Sequence, residues 1–388
     1  MKKISKDILL LSIGFLLMFF AYASVQQYLT VFFSESGSVN FGYISLILVY
    51  LSYVLFSPFS ALIVSKIGAK KSMIISSLFY SFFIFSLTMN SIILIYISSI
   101  LLGAFASLLW TAQSVYLIRV SEENSYGKNS GFFNSLLVLG IFMGVVLLSF
   151  LLKFLSFKSS FLFFSIFPII SFLIFFKLKK LKTIPIPNRL KSLRKSFTNK
   201  TILKLSLIWF SFTFAIGLNM GIIPLKINLI FGIFYVGIFS SLFYLSPFLF
   251  SYFVGKYSDK VGRKKMIILL YLITISNVII LYFTREIPFL LILSILLLAL
   301  GQVIYRPVLP AFIGDISNNK NLSNISALFL MVGNMGVVSA LILSSILEEN
   351  LIYLVFMFIL LLSLFIILPL FRLDIKLLRE KISKETQS

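Results

Sequence analysis

Residues 255–265 read GKYSDKVGRKK, and residues 61–71 read ALIVSKIGAKK. Set one under the other, Gly262 falls on Gly68, Lys260 on Lys66, and Lys264 and Lys265 on Lys70 and Lys71. The offset is 194 residues, half of the 388-residue chain. It also brings Phe214-Ala215 over Phe20-Ala21. A glycine spacing shared at half the chain length reads as a parallel internal repeat.

The surroundings of both stretches are apolar. The chain is 60% hydrophobic and 12% charged, with a mean hydropathy of +1.07. About 20 apolar residues cross a bilayer as a helix, and such runs follow one another here. The alternating ten-residue strands of a membrane barrel do not occur. Helices are expected near 8–32, 41–64, 72–90, 92–118, 130–153, 159–177, 202–228, 233–254, 266–284, 288–313, 324–347 and 351–371. The fold class is therefore an all-α polytopic membrane protein, twelve transmembrane helices in two six-helix halves. Residues 1–177 form the first half, 178–201 a basic linker, 202–372 the second half and 373–388 a tail. The start, MKKISKDILLLSIGFLLMFFAYAS, has the make-up of a signal peptide. The apolar run continues through VQQYLTVFF, so it reads as the first span.

Charge gives the orientation. Of the 34 Lys and Arg residues, 30 fall on the side that holds both termini and the linker. Lys153, Lys158, Lys226 and Arg285 make up the other side. The positive-inside rule then places both termini in the cytoplasm of a cell membrane. The net charge of +22 sits in loops, so nucleic acid is not the expected partner. Without Cys or His there are no disulfides, no thiolate chemistry and few means of holding a metal. No P-loop pattern (GxxxxGK[ST]) occurs. No cofactor and no enzymatic activity are expected.

Residues 255–265 resemble the loop signature of the major facilitator superfamily, G-x3-D-[RK]-x-G-[RK]-[RK]. The N-terminal copy departs from it, with Ala61 for the Gly and Ser65 for the Asp. Gly131, Gly140 and Gly144 match the first glycines of that superfamily's antiporter motif, but Val145 and Leu148-Ser149 replace its Pro and final Gly pair. These glycines equally suit close helix packing. The resemblance implies a secondary or facilitative transporter of a small solute, working as a monomer in the lipid bilayer by alternating access. A drug or metabolite efflux antiporter and a non-transporting receptor on the same fold are the alternatives.

The resemblance also implies roles. Asp259 would meet the N-terminus of the fifth helix, near Ser130, and Arg263 would pair with Asp315, so that Gly255, Asp259, Lys260, Gly262, Arg263 and Lys264 latch the halves. Lys66, Gly68 and Lys70 form the weaker copy, where Glu122 is a candidate partner of Lys70. Helices one, four, seven and ten would line a cavity. Their polar residues are Tyr22, Ser24, Gln26, Gln27, Trp110, Gln113, Asn219, Gln302, Tyr305 and Arg306. Each amide also suits a helix–helix hydrogen bond. Arg306 either faces the cavity or snorkels to the surface, and Lys226 is expected to snorkel. No Asp or Glu falls within an expected span, which argues against proton symport and favours a neutral or anionic solute.

Overall fold

The computed structural model of the chain describes residues 4–35, 37–89, 91–122, 125–183, 189–284 and 287–387. The first half holds α1 (Lys6–Gln27), α2 (Leu29–Glu35), α3 (Val39–Ile67), α4 (Ala69–Ser86), α5 (Ile92–Arg119), α6 (Tyr126–Leu151), α7 (Phe157–Phe164) and α8 (Phe167–Phe175). Then comes α9 (Arg189–Thr198). The second half holds α10 (Lys200–Phe231), α11 (Ile233–Val261), α12 (Arg263–Thr284), α13 (Pro288–Ile316), α14 (Leu322–Ile346) and α15 (Glu349–Phe371), followed by α16 (Ile375–Gln387).

Among the described residues, eleven spans are long and apolar enough to cross a membrane, with α7 and α8 counted as one. Helix α4, expected as the third crossing, is not among them; its first turn carries Lys70 and Lys71. Large apolar side chains such as Leu55, Phe253 and Phe365 point outward from the bundle, as a lipid solvent requires.

Local chemistry sets the ends of these helices. Ser5, Ser91 and Asn199 accept hydrogen bonds from Ile8 N, Leu94 N and Ile202 N, capping α1, α5 and α10. Where α3 turns into α4 and α11 into α12, the backbone needs a left-handed residue. Gly68 (φ 89°) and Gly262 (φ 96°) supply it. The repeated stretch thus makes the same turn twice.

Two expected continuous helices are broken. The first ends at Gln27 and restarts as α2 after Tyr28. The sixth stops at Phe164, because Pro168 enters the first turn of α8 without a donor. The Ser165 carbonyl at this break accepts from Ser81 Oγ at 2.6 Å. The expected plain linker and tail also contain helices. Asn199 Nδ2 donates to the Ile382 carbonyl at 3.3 Å, and Asn324 Nδ2 to Ser192 Oγ at 3.2 Å. These bonds dock α9 and α16 beneath the second half. Linker residues 184–188 and the side-chain positions of Glu123, Arg285 and Glu286 lie outside the described residues.

The halves repeat one packing pattern. In the first, α6 packs on α1, and α5 packs on both α3 and α4. In the second, α14 packs on α10, and α13 packs on both α11 and α12. Across the seam, α6 lies on α11 and α3 on α14. The α6–α11 crossing is backbone against backbone. A Cβ on Gly255 would stand 2.2 Å from the Gly127 carbonyl oxygen, and one on Gly131 would stand 2.5 Å from that of Ser251. Gly140 and Gly144 press likewise on the Leu16 and Phe20 carbonyls of α1. All three motif glycines therefore serve close packing.

Candidate solute cavity and interhelical latch

A cavity of about 230 Å³ lies between the two halves. Six of the residues marked in the sequence stand on its wall: Tyr22, Gln26, Trp110, Gln113, Tyr305 and Arg306. Three do not. Gln27 and Asn219 meet at the seam instead, where Gln27 Nε2 donates to the Asn219 carbonyl at 3.4 Å. Successive helical residues point about 100° apart, so Gln26 and Gln27 cannot share a face. Gln302 lies one turn from Arg306, beyond the end of the cavity, and is buried. Ser24 is also off the wall, its Oγ on the Phe20 carbonyl at 2.6 Å.

The wall takes in more helices than one, four, seven and ten. Tyr50 and Tyr53 come from α3, Tyr80 from α4, Asn134 from α6, Tyr244 from α11 and Asn334 from α14. A tyrosine in an apolar helix carries no mark of which way it faces, so the sequence did not single these out. Phe19, Tyr22, Tyr80 and Trp110 form an edge-to-face cluster. Their ring centroids lie 4.9 Å apart for Tyr22–Tyr80 and 5.2 Å for Phe19–Trp110. Gln26 Nε2 donates to Tyr50 Oη at 2.7 Å, and Tyr50 Oη reaches Met220 Sδ at 3.1 Å. That chain joins the halves at mid-depth.

Arg306 faces the cavity rather than the surface. Its guanidinium carbon lies 5.9 Å from the Tyr244 ring centroid. Among the described residues its buried Nε has no hydrogen-bond partner, and no Asp or Glu lines the wall. Pro307 and Pro310 lie inside α13. In a regular helix the amide of residue 310 would donate to the carbonyl of 306. Proline has no such donor, and Asn134 Nδ2 takes its place, 2.8 Å from the Arg306 carbonyl oxygen. The expected loss of helical bonds is thus used to tie α13 to α6.

The cavity is bridged on both sides. On the side holding the termini, Asp259 at the end of α11 accepts from Gly127 N at 3.1 Å and Lys128 N at 3.0 Å. These are the first amides of α6, where the helix dipole favours an anion. Helix α6 starts at Tyr126, one turn earlier than the expected start at 130. Arg263 is ion-paired with Asp259, its Nε lies 3.2 Å from Asp315 Oδ2, and it donates to Ser258 Oγ at 2.7 Å. Ser114 and Ser326 meet nearby with hydroxyls 3.0 Å apart. On the far side, Ser149 Oγ donates to the Phe234 carbonyl at 3.0 Å.

The remaining motif residues fall into place around the turns. Lys66 and Lys260 are exposed. Lys70 Nζ donates to the Phe176 carbonyl at 2.6 Å, and Lys264 Nζ to the Phe371 carbonyl at 3.3 Å. Each lysine therefore caps the C-terminal end of its half's last crossing, again 194 residues apart in the chain. Lys226 has a partner at the start of α15. It pairs with Glu349 at 2.6 Å, where the carboxylate also accepts from Tyr353. Ser65 Oγ donates to its own helix at Leu62. It lines a small cavity of about 20 Å³ together with Arg119 and Ser323.

Known proteins carry the same architecture. The solved proton:xylose symporter XylE superposes with a TM-score of 0.75 at 12% identity, over 93% of this chain and 94% of that one. The human organic anion transporter MFSD10 superposes with a TM-score of 0.73 at 14% identity, over 93% and 98%. In sequence, the UNC93-like protein MFSD11 of Xenopus tropicalis is 33% identical over 141 residues, 36% of this chain and 32% of that protein. The UNC93-like protein 3 of Arabidopsis thaliana is 28% identical over 142 residues, 36% and 28%. The chain spans about a third of the length of these curated relatives. The model of the Major Facilitator Superfamily matches it twice, over residues 11–232 and 205–387. Those two matches run through both halves, and the chain belongs to the Major Facilitator Superfamily.

Proposed function

We propose that this chain carries a small neutral or anionic solute across a membrane by alternating access. One observation carries the reading: a cavity between two repeated halves, with an arginine and, among the described residues, no carboxylate on its wall. Contacts between the halves stand on either side of it. Breaking one set while the other holds would open the cavity to one side at a time. In this reading Asp259, with its grip on the α6 N-terminus, is the latch on the terminal side. Arg263 steadies it while shared between Asp259 and Asp315. Gly255 and Gly262 let the helices approach and turn, and Lys264 holds the turn to α15. Lys66, Gly68 and Lys70 form the lighter counterpart of the first half.

The 30-to-4 split of basic residues supports a cytoplasmic terminal side in a cell membrane. XylE is a proton:xylose symporter and MFSD10 an organic anion transporter, so this architecture accommodates both neutral and anionic cargo. With no carboxylate among the described residues of the wall, the usual place for a coupling proton is lacking there.

The test is flux into vesicles reconstituted with purified protein, over a panel of labelled sugars, carboxylic acids, amino acids and organic cations. The expected result is saturable uptake of a neutral or anionic solute, with little dependence on an imposed pH gradient. Flux confined to organic cations and driven by a proton gradient would overturn it.

A further inference from the structure

The cavity has two chemically different poles. On the first half, Phe19, Tyr22, Tyr80 and Trp110 form an aromatic box from α1, α4 and α5. On the second, α13 brings Arg306, whose Nε is buried with no hydrogen-bond partner among the described residues. The nearby Tyr244 face offsets only part of that charge. A half-buried guanidinium with no carboxylate on the described wall offers a charged site to an anion.

Three wall amides and one hydroxyl are already bonded within the protein. Gln26 gives its amide to Tyr50, Asn134 to the Arg306 carbonyl and Asn334 to the Leu330 carbonyl. The Thr213 hydroxyl is on the Trp209 carbonyl. Tyrosine hydroxyls of Tyr22, Tyr53, Tyr80, Tyr244 and Tyr305 also reach the wall, but most of it is apolar and its one charge among the described residues is the guanidinium, which suits a ring and an anion better than a solute rich in hydroxyls. Size narrows the choice further. An apolar cavity of about 150 Å³ takes one benzene ring, so about 230 Å³ takes a ring and a short acidic arm.

We propose that the ligand of this cavity is a small aromatic carboxylate, its ring in the box of the first half and its carboxylate on Arg306 of the second. The inference rests on reading the cavity as the solute site. It adds a consequence: one molecule touches both halves at once, so its binding favours the arrangement in which they are closed around it.

The protein supplies its own reporter. Its two tryptophans, Trp110 and Trp209, both stand on the cavity wall, so all tryptophan emission comes from there. The purified full chain in detergent is titrated with phenylacetate, with its uncharged isostere phenylacetamide, with acetate and with glucose. Phenylacetate is expected to change the emission saturably. The other three are expected to bind at least about tenfold more weakly, the scale of one lost charged hydrogen bond or of the lost ring. Arg306→Gln should weaken phenylacetate by a similar factor and leave phenylacetamide unchanged, and Arg306→Lys should fall between, since an ammonium lacks the fork.

Equal binding of phenylacetamide or glucose would overturn the inference, and so would full phenylacetate affinity in Arg306→Gln. The wild-type comparison stands even where a variant does not fold. Phenylacetate binding without flux in vesicles sustains this inference and defeats transport. Saturable flux of another solute, with no phenylacetate binding, does the reverse.

Discussion

Asp259→Asn keeps the shape of the latch and removes its charge. The carboxylate accepts two α6 amides and faces Arg263, with 13% of its side chain exposed. An asparagine oxygen can keep one amide bond, but its NH₂ group then opposes the second amide. A hydrogen bond to a charged group contributes about 1.5–3 kcal/mol, and the helix terminus adds up to about 2 kcal/mol. Arg263 keeps Asp315, so no buried cation is stranded. The net loss is about 2–3 kcal/mol on the closed side, a shift of roughly 30- to 150-fold in the open population. The chain has no cysteine, so one introduced thiol reports cleanly. Ile313 lies on the cavity wall near the terminal end of α13. In Ile313→Cys, a water-soluble maleimide added from the terminal side should label slowly, and about 30-fold or more faster once Asp259→Asn is added. A rate changed by less than about threefold would show that the contact does not hold the halves shut, contrary to the energies above.

The converse change is Ser65→Asp, which should slow the same labelling, because the new carboxylate shares a small cavity with Arg119 and with Ser323 at the start of α14. Gly144→Ala should lower the melting temperature by several degrees, since its Cβ would stand 1.9 Å from the Phe20 carbonyl oxygen and overpacking costs about 1–3 kcal/mol. Gly301→Ala, whose nearest neighbour would be 3.6 Å away, is the control and should melt as the native chain does. A reporter fused after Ser388 should be cytoplasmic and a tag beside the exposed Glu348 external, and the opposite pattern would contradict the assigned orientation.

Sequence carried the frame of this molecule because the repeat has physical content. The glycine of each copy is the left-handed residue its turn demands, and the first lysine after the turn caps the last crossing of its half. The helix breaks were less visible. Pro168 was there to be read, but no residue type marks the break at Tyr28. In the cavity, Gln26, Gln113 and Arg306 stood out because polar groups are costly inside apolar spans. The same reasoning put Gln27, Asn219 and Gln302 on the wall, where facing and depth exclude them. The tyrosines from α3, α4 and α11, and Asn134 and Asn334, became visible only with packing. Spacing fixes which residues share a face, and packing decides what that face meets.

Alternating access makes one demand that no static receptor shares: the two halves must part on the terminal side in every cycle. Ser114 and Ser326 face each other there across the seam, with oxygens 3.0 Å apart, close enough for a disulfide when both are cysteine. The measurement is counterflow, in reconstituted vesicles, of whichever panel solute the native protein carries. In Ser114→Cys/Ser326→Cys, oxidation should stop the flux and reduction should restore it, while each single variant stays active in both conditions. Undiminished flux through the oxidised, crosslinked protein would contradict the account.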